Sequence, residues 1–362
     1  MRSGGAVRLA FHFRSRVLAC ELFLVALAMV GGVRTTTAAS NEADDPRRAA
    51  LNVQSSTSLA EVSGLIDEFS RANPDISLRF SRSLSGPIFD RVAHPGGPDD
   101  VPDVAWSSAM DSQIKLANDG YALQYHSPES RNIYPWAQWN DYAFGVTAEP
   151  VVFVYNKRLF SKEVVPQDRV ELLRALLEKR AFFRGRIATY DPGRAEAGLL
   201  FITQDVKITA TTWDLVRAMG QADVKLYDSS QSILDDILEG DLVFAYNVLG
   251  SYAMERAKAD SNLGIVFPRD YTLRMSRIAL IPRAAPHPEE AKRFIDFLLS
   301  PRAQAFFAGH SLGSVREDQT AGSDTSNPAV RPIAMDVDLL TYLDQAKRRR
   351  FLKQWDDALK GR

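Results

Sequence analysis

The 362-residue chain has only one cysteine, Cys20, and this scarcity excludes several kinds of chemistry. A single cysteine forms no internal disulfide, and metal sites built on thiolates need several sulfur ligands. Because Cys20 lies in a segment that we predict to be removed, the mature chain also has no cysteine nucleophile. Its stability must come from a packed core, for which an apolar fraction of 45% is ordinary.

Histidine and recognisable catalytic motifs are scarce as well. The chain has five histidines, and none is spaced as a metal-binding pair. It contains no H-E-x-x-H motif, no P-loop and no dinucleotide-binding fingerprint. We therefore expect no cofactor and no bound metal, and a hydrolase on an α/β scaffold is disfavoured.

The chain has no excess of positive charge. It carries 44 basic and 45 acidic residues, and without residues 1–39 these numbers become 39 and 44. The only dense basic run, residues 347–350, falls on a predicted helix and is typical of a solvated face. No nucleic-acid partner is expected, and a monomer is predicted.

The first forty residues are typical of a cleavable signal peptide. A basic start is followed by an apolar run over residues 17–33, which contains Glu21, and then by small residues up to a cleavage point near Ala39. The run is too short and interrupted for the roughly 20 apolar residues of a membrane span. Most of the apolar run follows Cys20, whereas in a lipidation signal the apolar run precedes the cysteine. We predict that residues 1–39 are removed and that the mature protein is soluble in the periplasm.

The mature chain alternates strands and helices. Residues 51–54 alternate as a strand, residues 55–58 form a hydroxyl-rich turn, and an amphipathic helix with apolar residues from Leu59 to Phe69 follows. The same order recurs around residues 103–118, 186–202 and 241–259. This alternation predicts an α/β fold with largely parallel sheets. Residues 142–155 form two extended apolar segments broken at Glu149, which indicates a crossing between lobes.

Several blocks in this order resemble type II periplasmic solute-binding proteins of ABC transporters. The blocks are PDVAWSSAMDSQIKLANDGYA (102–122), VVFVYNKRLF (151–160), IATYDPGRAEAG (187–198), LEGDLVFAYNVLGSYA (238–253) and PRDYTLRMSRIALIPRAAPHPEEAKRFIDFLLSPRAQ (268–304). The resemblance is to the branch that includes ferric-iron, sugar-phosphate and aminoethylphosphonate binders, and it covers nearly the whole mature chain.

The resemblance implies a two-lobed fold with mixed, mostly parallel sheets and a two-strand hinge. Residues 40–148 would form the first part of lobe 1, residues 149–268 lobe 2, and residues 269–362 a return to lobe 1 with the C-terminal helices. It also implies a ligand held between the lobes and an inner-membrane ABC permease as partner.

Ten polar residues at strand ends and helix starts are the candidate ligand-binding residues. Backbone N–H groups at helix N-termini favour anions, although serine and threonine are also ordinary helix caps. Arg194 offers a planar guanidinium suited to phosphate or carboxylate, or is a solvated loop arginine. The other candidates are Ser55, Ser56, Thr57, Ser107, Ser108, Ser230, Tyr246, Asn247 and Asp270.

These observations predict a periplasmic protein that captures a small organic anion, phosphorylated or carboxylated, without covalent chemistry. A ferric-iron binder is an alternative, but iron binders of the branch commonly use adjacent tyrosines, and the chain has no Tyr-Tyr pair. A second alternative is a sensory accessory of a two-component histidine kinase, since the DYTLRMSR block at 270–277 resembles a regulatory subgroup.

Overall fold

The predicted strand–turn–helix units are present in the computed structural model, which describes residues 48–319 and 329–361. The predicted signal peptide lies outside the described residues, as does most of the loop predicted over residues 318–327. No described helix combines the length and apolar character that a membrane crossing requires.

Thirteen strands make up two sheets in the described part of the chain. They are β1 (Ala49–Ser55), β2 (Ile76–Arg82), β3 (Val104–Ser107), β4 (Gln138–Trp139), β5 (Ala143–Gly145), β6 (Glu149–Asn156), β7 (Ile187–Tyr190), β8 (Lys225–Tyr227), β9 (Phe244–Leu249), β10 (Leu263–Val266), β11 (Thr272–Met275), β12 (Ile278–Leu280) and β13 (Val330–Pro332).

Helices follow most of these strands. They are α1 (Leu59–Ala72), α2 (Ser85–Ala93), α3 (Met110–Asn118), α4 (Arg169–Glu178), α5 (Arg180–Phe183), α6 (Glu196–Ile208), α7 (Thr212–Gln221), α8 (Ser230–Glu239), α9 (Gly250–Ala259), α10 (Pro288–Leu299), α11 (Pro301–Gly309) and α12 (Gln345–Leu359). Short 3₁₀ turns lie at Pro98–Asp100, Ser130–Asn132, Pro135–Ala137, Glu317–Gln319 and Val337–Leu343.

Local sequence explains where these helices begin and end. Ser58 and Glu61 form a capping box at α1, with the Ser58 backbone N–H donating to Glu61 Oε2 at 2.9 Å. Ser229 caps α8, and Gly240 ends it with a φ of +93°, a left-handed conformation that glycine adopts without strain. Pro288 opens α10, whose apolar side packs into the core of the first sheet.

Each sheet is mixed. The first has the order β2-β1-β3-β12-β5-β4, with parallel pairing from β2 to β3 and antiparallel pairing beyond. The second has the order β13-β11-β6-β9-β7-β8, and β10 also pairs with β6. There the β9-β7-β8 part is parallel, whereas β6 runs antiparallel to its neighbours. Antiparallel pairing occurs both in the short β4–β5 hairpin and where the chain returns to a sheet, at β6 and β12.

The chain passes twice between the sheets. The first passage, residues 146–148, joins β5 to β6, and the second, residues 276–277, joins β11 to β12. The second passage comes later in the chain than Asp270, where the sequence placed it, because β11 still pairs with β6 of the second sheet.

The C-terminal helix differs from its expected place in lobe 1. In α12, Phe351 and Trp355 are buried in the core cluster that includes Leu215 and Met219 of α7. These α7 residues belong to the layer over the second sheet. The apolar face of α12 decides this position. The basic run at residues 347–350, in the first part of α12, stays at the surface.

Candidate functional site

A cavity of about 520 Å³ lies between the two sheets at the ends of their strands, and we call it the interlobe cavity. This volume is in the range of ordinary small-molecule sites. Its lining residues come from the loops after β2, β3, β7, β8 and β9 and from the second passage. They are Leu84, Ser85, Gly86, Pro87, Ser108, Ala109, Met110, Asp111, Tyr190, Arg194, Ala195, Glu196, Ala197, Leu200, Asp228, Ser230, Leu249, Tyr252, Met275 and Arg277.

Five helices of eight or more residues begin at this cavity. Its lining residues include the first turns of α2, α3 and α6, the first residue of α8, and Tyr252 in the first turn of α9. The unpaired N–H groups and the positive end of each helix dipole favour negative charge in the ligand. The arrangement follows from βα units whose strands end at the same edge.

Hydroxyl groups form a chain along the first-sheet side of the cavity. The Ser108 backbone N–H donates to Ser56 Oγ at 2.9 Å, and the two hydroxyls lie 3.3 Å apart. Ser107 Oγ donates to Ser85 Oγ at 3.0 Å. Ser56 and Ser107 therefore support Ser108 and Ser85, which line the cavity.

On the opposite side, Ser230 and Tyr190 share a hydrogen bond of 2.5 Å. The Tyr190 hydroxyl also accepts the Leu249 backbone N–H at 3.2 Å. Burial raises the pKa of Tyr190 to about 12, so this phenol is neutral at physiological pH. Both hydroxyls are held in place beside the first turn of α8.

Arg194 lines the cavity as a largely exposed side chain. Its Nε donates to Asp191 Oδ2 at 2.8 Å, and 59% of the side chain is accessible. The guanidinium is therefore oriented by Asp191 and retains donors on its terminal nitrogens for an acidic ligand.

A buried ionic network closes one end of the cavity. Arg277 Nε donates to Glu149 Oε1 at 2.8 Å, and its Nη1 donates to Thr57 Oγ1 at 2.9 Å. Glu149 also accepts from Ser251 Oγ at 2.5 Å. The network joins both passages to α1 and α9. Thr57 thus orients Arg277, and neither Thr57 nor Ser55 is among the cavity-lining residues.

Ser55 has a local role. Its side chain is fully buried, and its hydroxyl accepts the Thr57 backbone N–H at 3.0 Å. This bond shapes the turn between β1 and α1. The adjacent Ser58 lines a second cavity of about 430 Å³, which also contains Arg82, Glu255 and His310 and which Tyr252 separates from the interlobe cavity.

The structure places Tyr246, Asn247 and Asp270 away from the cavity lining, in a cluster around Asp205 and Arg169. The Tyr246 hydroxyl donates to Asp205 Oδ2 at 2.6 Å, and Asn247 Nδ2 donates to the same oxygen. Asp270 Oδ1 accepts from Arg169 Nη1 at 3.0 Å. Tyr246 and Asn247 differ from expectation because they donate to the buried Asp205 carboxylate. Asp270 differs because it is paired with Arg169.

Asn247 has a φ of +56°, which allows its amide to reach Asp205. Asparagine tolerates this left-handed conformation better than most residues. The conformation coincides with an irregularity inside β9, whose pairing with β6 shifts register between Ala245 and Val248.

Seven polar residues of the cavity lining are not among the ten sequence candidates: Ser85, Asp111, Tyr190, Glu196, Asp228, Tyr252 and Arg277. Ser85 begins α2, a helix whose Ser-Gly-Pro start is typical of a turn as well. The sequence position of Arg277 could have indicated its role. It directly precedes the apolar strand β12, and a charged residue buried there needs a partner of opposite charge. Tyr252 lies two residues into α9, and nothing local distinguishes it from a core aromatic.

Residues 309–313, GHSLG, match the G-x-S-x-G pattern of hydrolase nucleophile elbows. That motif places its serine between a strand and a helix, at the end of a sheet. Here Gly309 ends α11, and Ser311, with a φ of +63°, lies in the turn that follows. Ser311 hydrogen bonds to Glu255, and His310 Nδ1 lies 2.8 Å from the Phe306 carbonyl oxygen. The motif is therefore a helix end here.

The fold and the cavity agree with comparisons to known proteins. Residues 64–332 match the family described as bacterial extracellular solute-binding protein. The substrate-binding protein of an ABC transporter from Agrobacterium tumefaciens is 37% identical, with a TM-score of 0.78, and the match covers 87% of this chain and 96% of that one. The comparison with curated protein sequences produced no significant match.

Two more distant structures share the fold. Iron-bound HitA from Pseudomonas aeruginosa is 17% identical, with a TM-score of 0.68 over 86% of this chain and 99% of that one. The periplasmic binding protein AfuA from Actinobacillus pleuropneumoniae, with fructose-6-phosphate bound, is 20% identical, with a TM-score of 0.63 over 86% and 98%. The matched family, the two sheets and the cavity between them together lead to one conclusion: the chain belongs to the bacterial extracellular solute-binding proteins of ABC-transporter type and has their two-lobed α/β fold.

Proposed function

We propose that this protein captures a small organic anion, phosphorylated or carboxylated, in the interlobe cavity and delivers it to an ABC permease. One observation carries the proposal: donors from both lobes, Ser108 on one side and Ser230 and Arg194 on the other, meet at a cavity where five helices begin. Donors on both lobes let one ligand favour the closed arrangement. Binding needs no covalent step.

The proposal includes the division into lobes and the compartment. Lobe 1 comprises residues 40–148 and the chain from the second passage through α11, and lobe 2 comprises residues 149–275 together with β13 and α12. The two passages form the hinge. Membership of an extracellular solute-binding family supports export, and the signal-peptide pattern of residues 1–39 supports release into the periplasm.

The chemistry of the tyrosines favours an organic solute over ferric iron. Tyr246 and Tyr271 both donate to Asp205, at 2.6 and 2.8 Å, and Arg169 lies beside the same carboxylate at 3.2 Å. The arginine's positive charge opposes a cation at this cluster. AfuA, whose structure contains fructose-6-phosphate, shares this fold, which supports a phosphorylated organic solute.

Uptake is also preferred to signalling through a histidine kinase. In the 270–277 block, Asp270 pairs with the buried Arg169, and Arg277 is held in a buried ionic network with Glu149. The ion pairs of Asp270 and Arg277 therefore explain these residues without any role in signalling to a kinase. Permease genes beside the gene would support uptake, whereas adjacent kinase and response-regulator genes would support sensing.

The test is a thermal-shift screen of mature protein against sugar phosphates, phosphonates, di- and tricarboxylates and ferric citrate. A ligand at about 100 times its Kd stabilises the folded state by roughly 2.7 kcal/mol. We expect at least one organic anion to raise the melting temperature in a concentration-dependent way. Stabilisation by ferric ion alone would overturn the proposal.

A further inference from the structure

Two carboxylates face the interlobe cavity from opposite lobes. Asp111 lies in the first turn of α3, on the first sheet, and Glu196 is the first residue of α6, on the second. Glu196 accepts a hydrogen bond from Ser85, which itself accepts from Ser107. A polar chain thus reaches from lobe 1 to the Glu196 carboxylate.

The positive charges of the cavity are already balanced. Arg277 is paired with Glu149 at 2.8 Å, and Arg194 with Asp191 at 2.8 Å. Among residues 48–319 and 329–361, neither Asp111 nor Glu196 forms an ion pair within 4.0 Å. The charge that remains unbalanced in this cavity is therefore the negative charge of Asp111 and Glu196. A ligand that carries only negative charge would not neutralise it.

The electrostatic surroundings of the two carboxylates agree with this account. Burial raises the pKa of both side chains, and the charge of Asp111 further raises the pKa of Glu196. Arg348, which precedes the apolar part of α12, opposes both shifts and is too distant to pair with either. Two desolvated like charges on opposite lobes repel one another and resist closure unless a cation lies between them.

We infer that Asp111 and Glu196 bind a protonated amine of the ligand, so that the solute is a zwitterion whose acidic group lies at the helix N-termini. The inference rests on the proposed function and narrows its ligand class. It also makes closure selective, because the amine replaces repulsion between the lobes with two charge-assisted hydrogen bonds. Asp111 and Glu196 are then residues that determine specificity.

Matched pairs of probes that differ by the amine test this inference. The pairs are O-phosphoethanolamine with ethyl phosphate, glucosamine 6-phosphate with glucose 6-phosphate, and glutamate with glutarate, each titrated calorimetrically into mature protein. For the pair that fits the cavity, we expect the amine-bearing member to bind about 10-fold or more tightly. Glu196→Gln and Asp111→Asn should each reduce that preference to within about threefold.

Two exposed carboxylates provide matched controls. Glu178 lies at the end of α4 and Asp67 on α1, and both are exposed and distant from the cavity lining. Glu178→Gln and Asp67→Asn should keep the full preference. Circular dichroism of all four variants checks that lost preference does not reflect unfolding.

The possible outcomes separate this inference from the proposed function. Equal binding of both members of a pair, or a preference that survives both cavity variants, overturns the inference and leaves the organic-anion proposal standing. Tight binding of ethanolamine or glucosamine without the acidic group overturns the organic-anion proposal. If no probe in any pair binds, both fail, and stabilisation by calcium or magnesium chloride alone would assign the carboxylates to a metal ion instead.

Discussion

Glu149 and Arg277 form a buried bidentate ion pair that joins the two passages between the lobes. Arg277 Nε donates to Glu149 Oε1 at 2.8 Å and Nη2 to Glu149 Oε2 at 3.1 Å, and both side chains are almost fully buried. Each passage thereby supplies the counter-charge that the other needs. Glu149 begins β6 directly after the first passage and Arg277 lies in the second, so this pair links the two connections between the sheets.

Glu149→Gln should lower the free energy of unfolding by about 3–5 kcal/mol, because it removes the two hydrogen bonds that compensate the buried Arg277 charge and leaves the ionic contact to Glu61 at 3.3 Å. Urea unfolding followed by circular dichroism measures the loss. Asp223→Asn is the control, since Asp223 pairs with Arg184 at the surface, and it should cost below about 1 kcal/mol. Equal losses in the two variants would contradict a special role for the buried pair.

Glu196→Gln should raise the melting temperature of the ligand-free protein at pH 7 by roughly 1–3 °C. Burial and the neighbouring Asp111 raise the pKa of Glu196 above its usual 4.5, so the folded state binds this proton more tightly than the unfolded state. Ionised Glu196 therefore destabilises the fold at neutral pH, and the penalty disappears as the pH falls below the unfolded pKa.

The advantage of Glu196→Gln over wild type should accordingly vanish below about pH 4. Differential scanning fluorimetry of the variant and the wild type between about pH 3.5 and 8 tests this prediction. The neighbouring residues Ser85 and Arg348 are not mutated in either protein. Glu178→Gln should show no such gain at any pH. A Glu196 variant that is less stable than wild type at pH 7 would show that the carboxylate has an unrecognised partner.

Arg194→Ala should weaken binding of an anionic ligand by about 1.5–3 kcal/mol if its terminal nitrogens contact the acidic group. Isothermal titration with the solute found by the thermal-shift screen measures the change. Arg217→Ala removes an arginine of similar environment, paired with Asp214 on α7, and should leave the affinity unchanged. Unchanged affinity in Arg194→Ala removes this residue from the site.

Tyr246→Phe should reduce stability without reducing affinity. The Tyr246 hydroxyl donates to buried Asp205 and accepts from Arg169 Nε at 3.1 Å, so its loss should cost about 1–3 kcal/mol of folding free energy. Tyr252→Phe is the matched variant, because Tyr252 lines the interlobe cavity. A Kd that changes for Tyr246→Phe and not for Tyr252→Phe would restore Tyr246 to the site.

Gly220→Ala should loosen α12 from α7. A methyl group at Gly220 would overlap the backbone carbonyl of Leu359 at the end of α12, and overpacking of this kind costs about 1–3 kcal/mol. Gly309→Ala, where a methyl group meets open space, should be neutral or slightly stabilising. Limited proteolysis should release C-terminal fragments faster from the Gly220 variant, and equal rates would contradict the packing.

Most of the fold was predictable because its signals are local. Residues 51–54, 76–80 and 186–190 alternate as strands should, and Ser229 with Gly240 encloses α8. Helix α2 was not predicted, since Ser85-Gly86-Pro87 is equally typical of a turn and of a helix start. The position of α12 depends on its contacts with α7, and those contacts have no local signal.

The site was predictable only in part. Ser108, Arg194 and Ser230 line the cavity because they follow strands that end at one edge, which sequence order indicates. Tyr246 and Asn247 lie inside β9, which continues to Leu249, and they donate hydrogen bonds to the Asp205 carboxylate on α6. Asp205 is remote from them in sequence, so no local pattern reveals the competition.

The sequence by itself determined the α/β class, the family and the lack of an internal disulfide, because periodicity, motif order and composition are properties of the chain alone. Only the tertiary structure decided which polar side chains are exposed to a ligand. It pairs Arg277 with Glu149 and leaves Asp111 and Glu196, in the described part of the chain, without an ion-pair partner in the interlobe cavity. Charge compensation between residues far apart in sequence depends on distance in space, and folding alone establishes it.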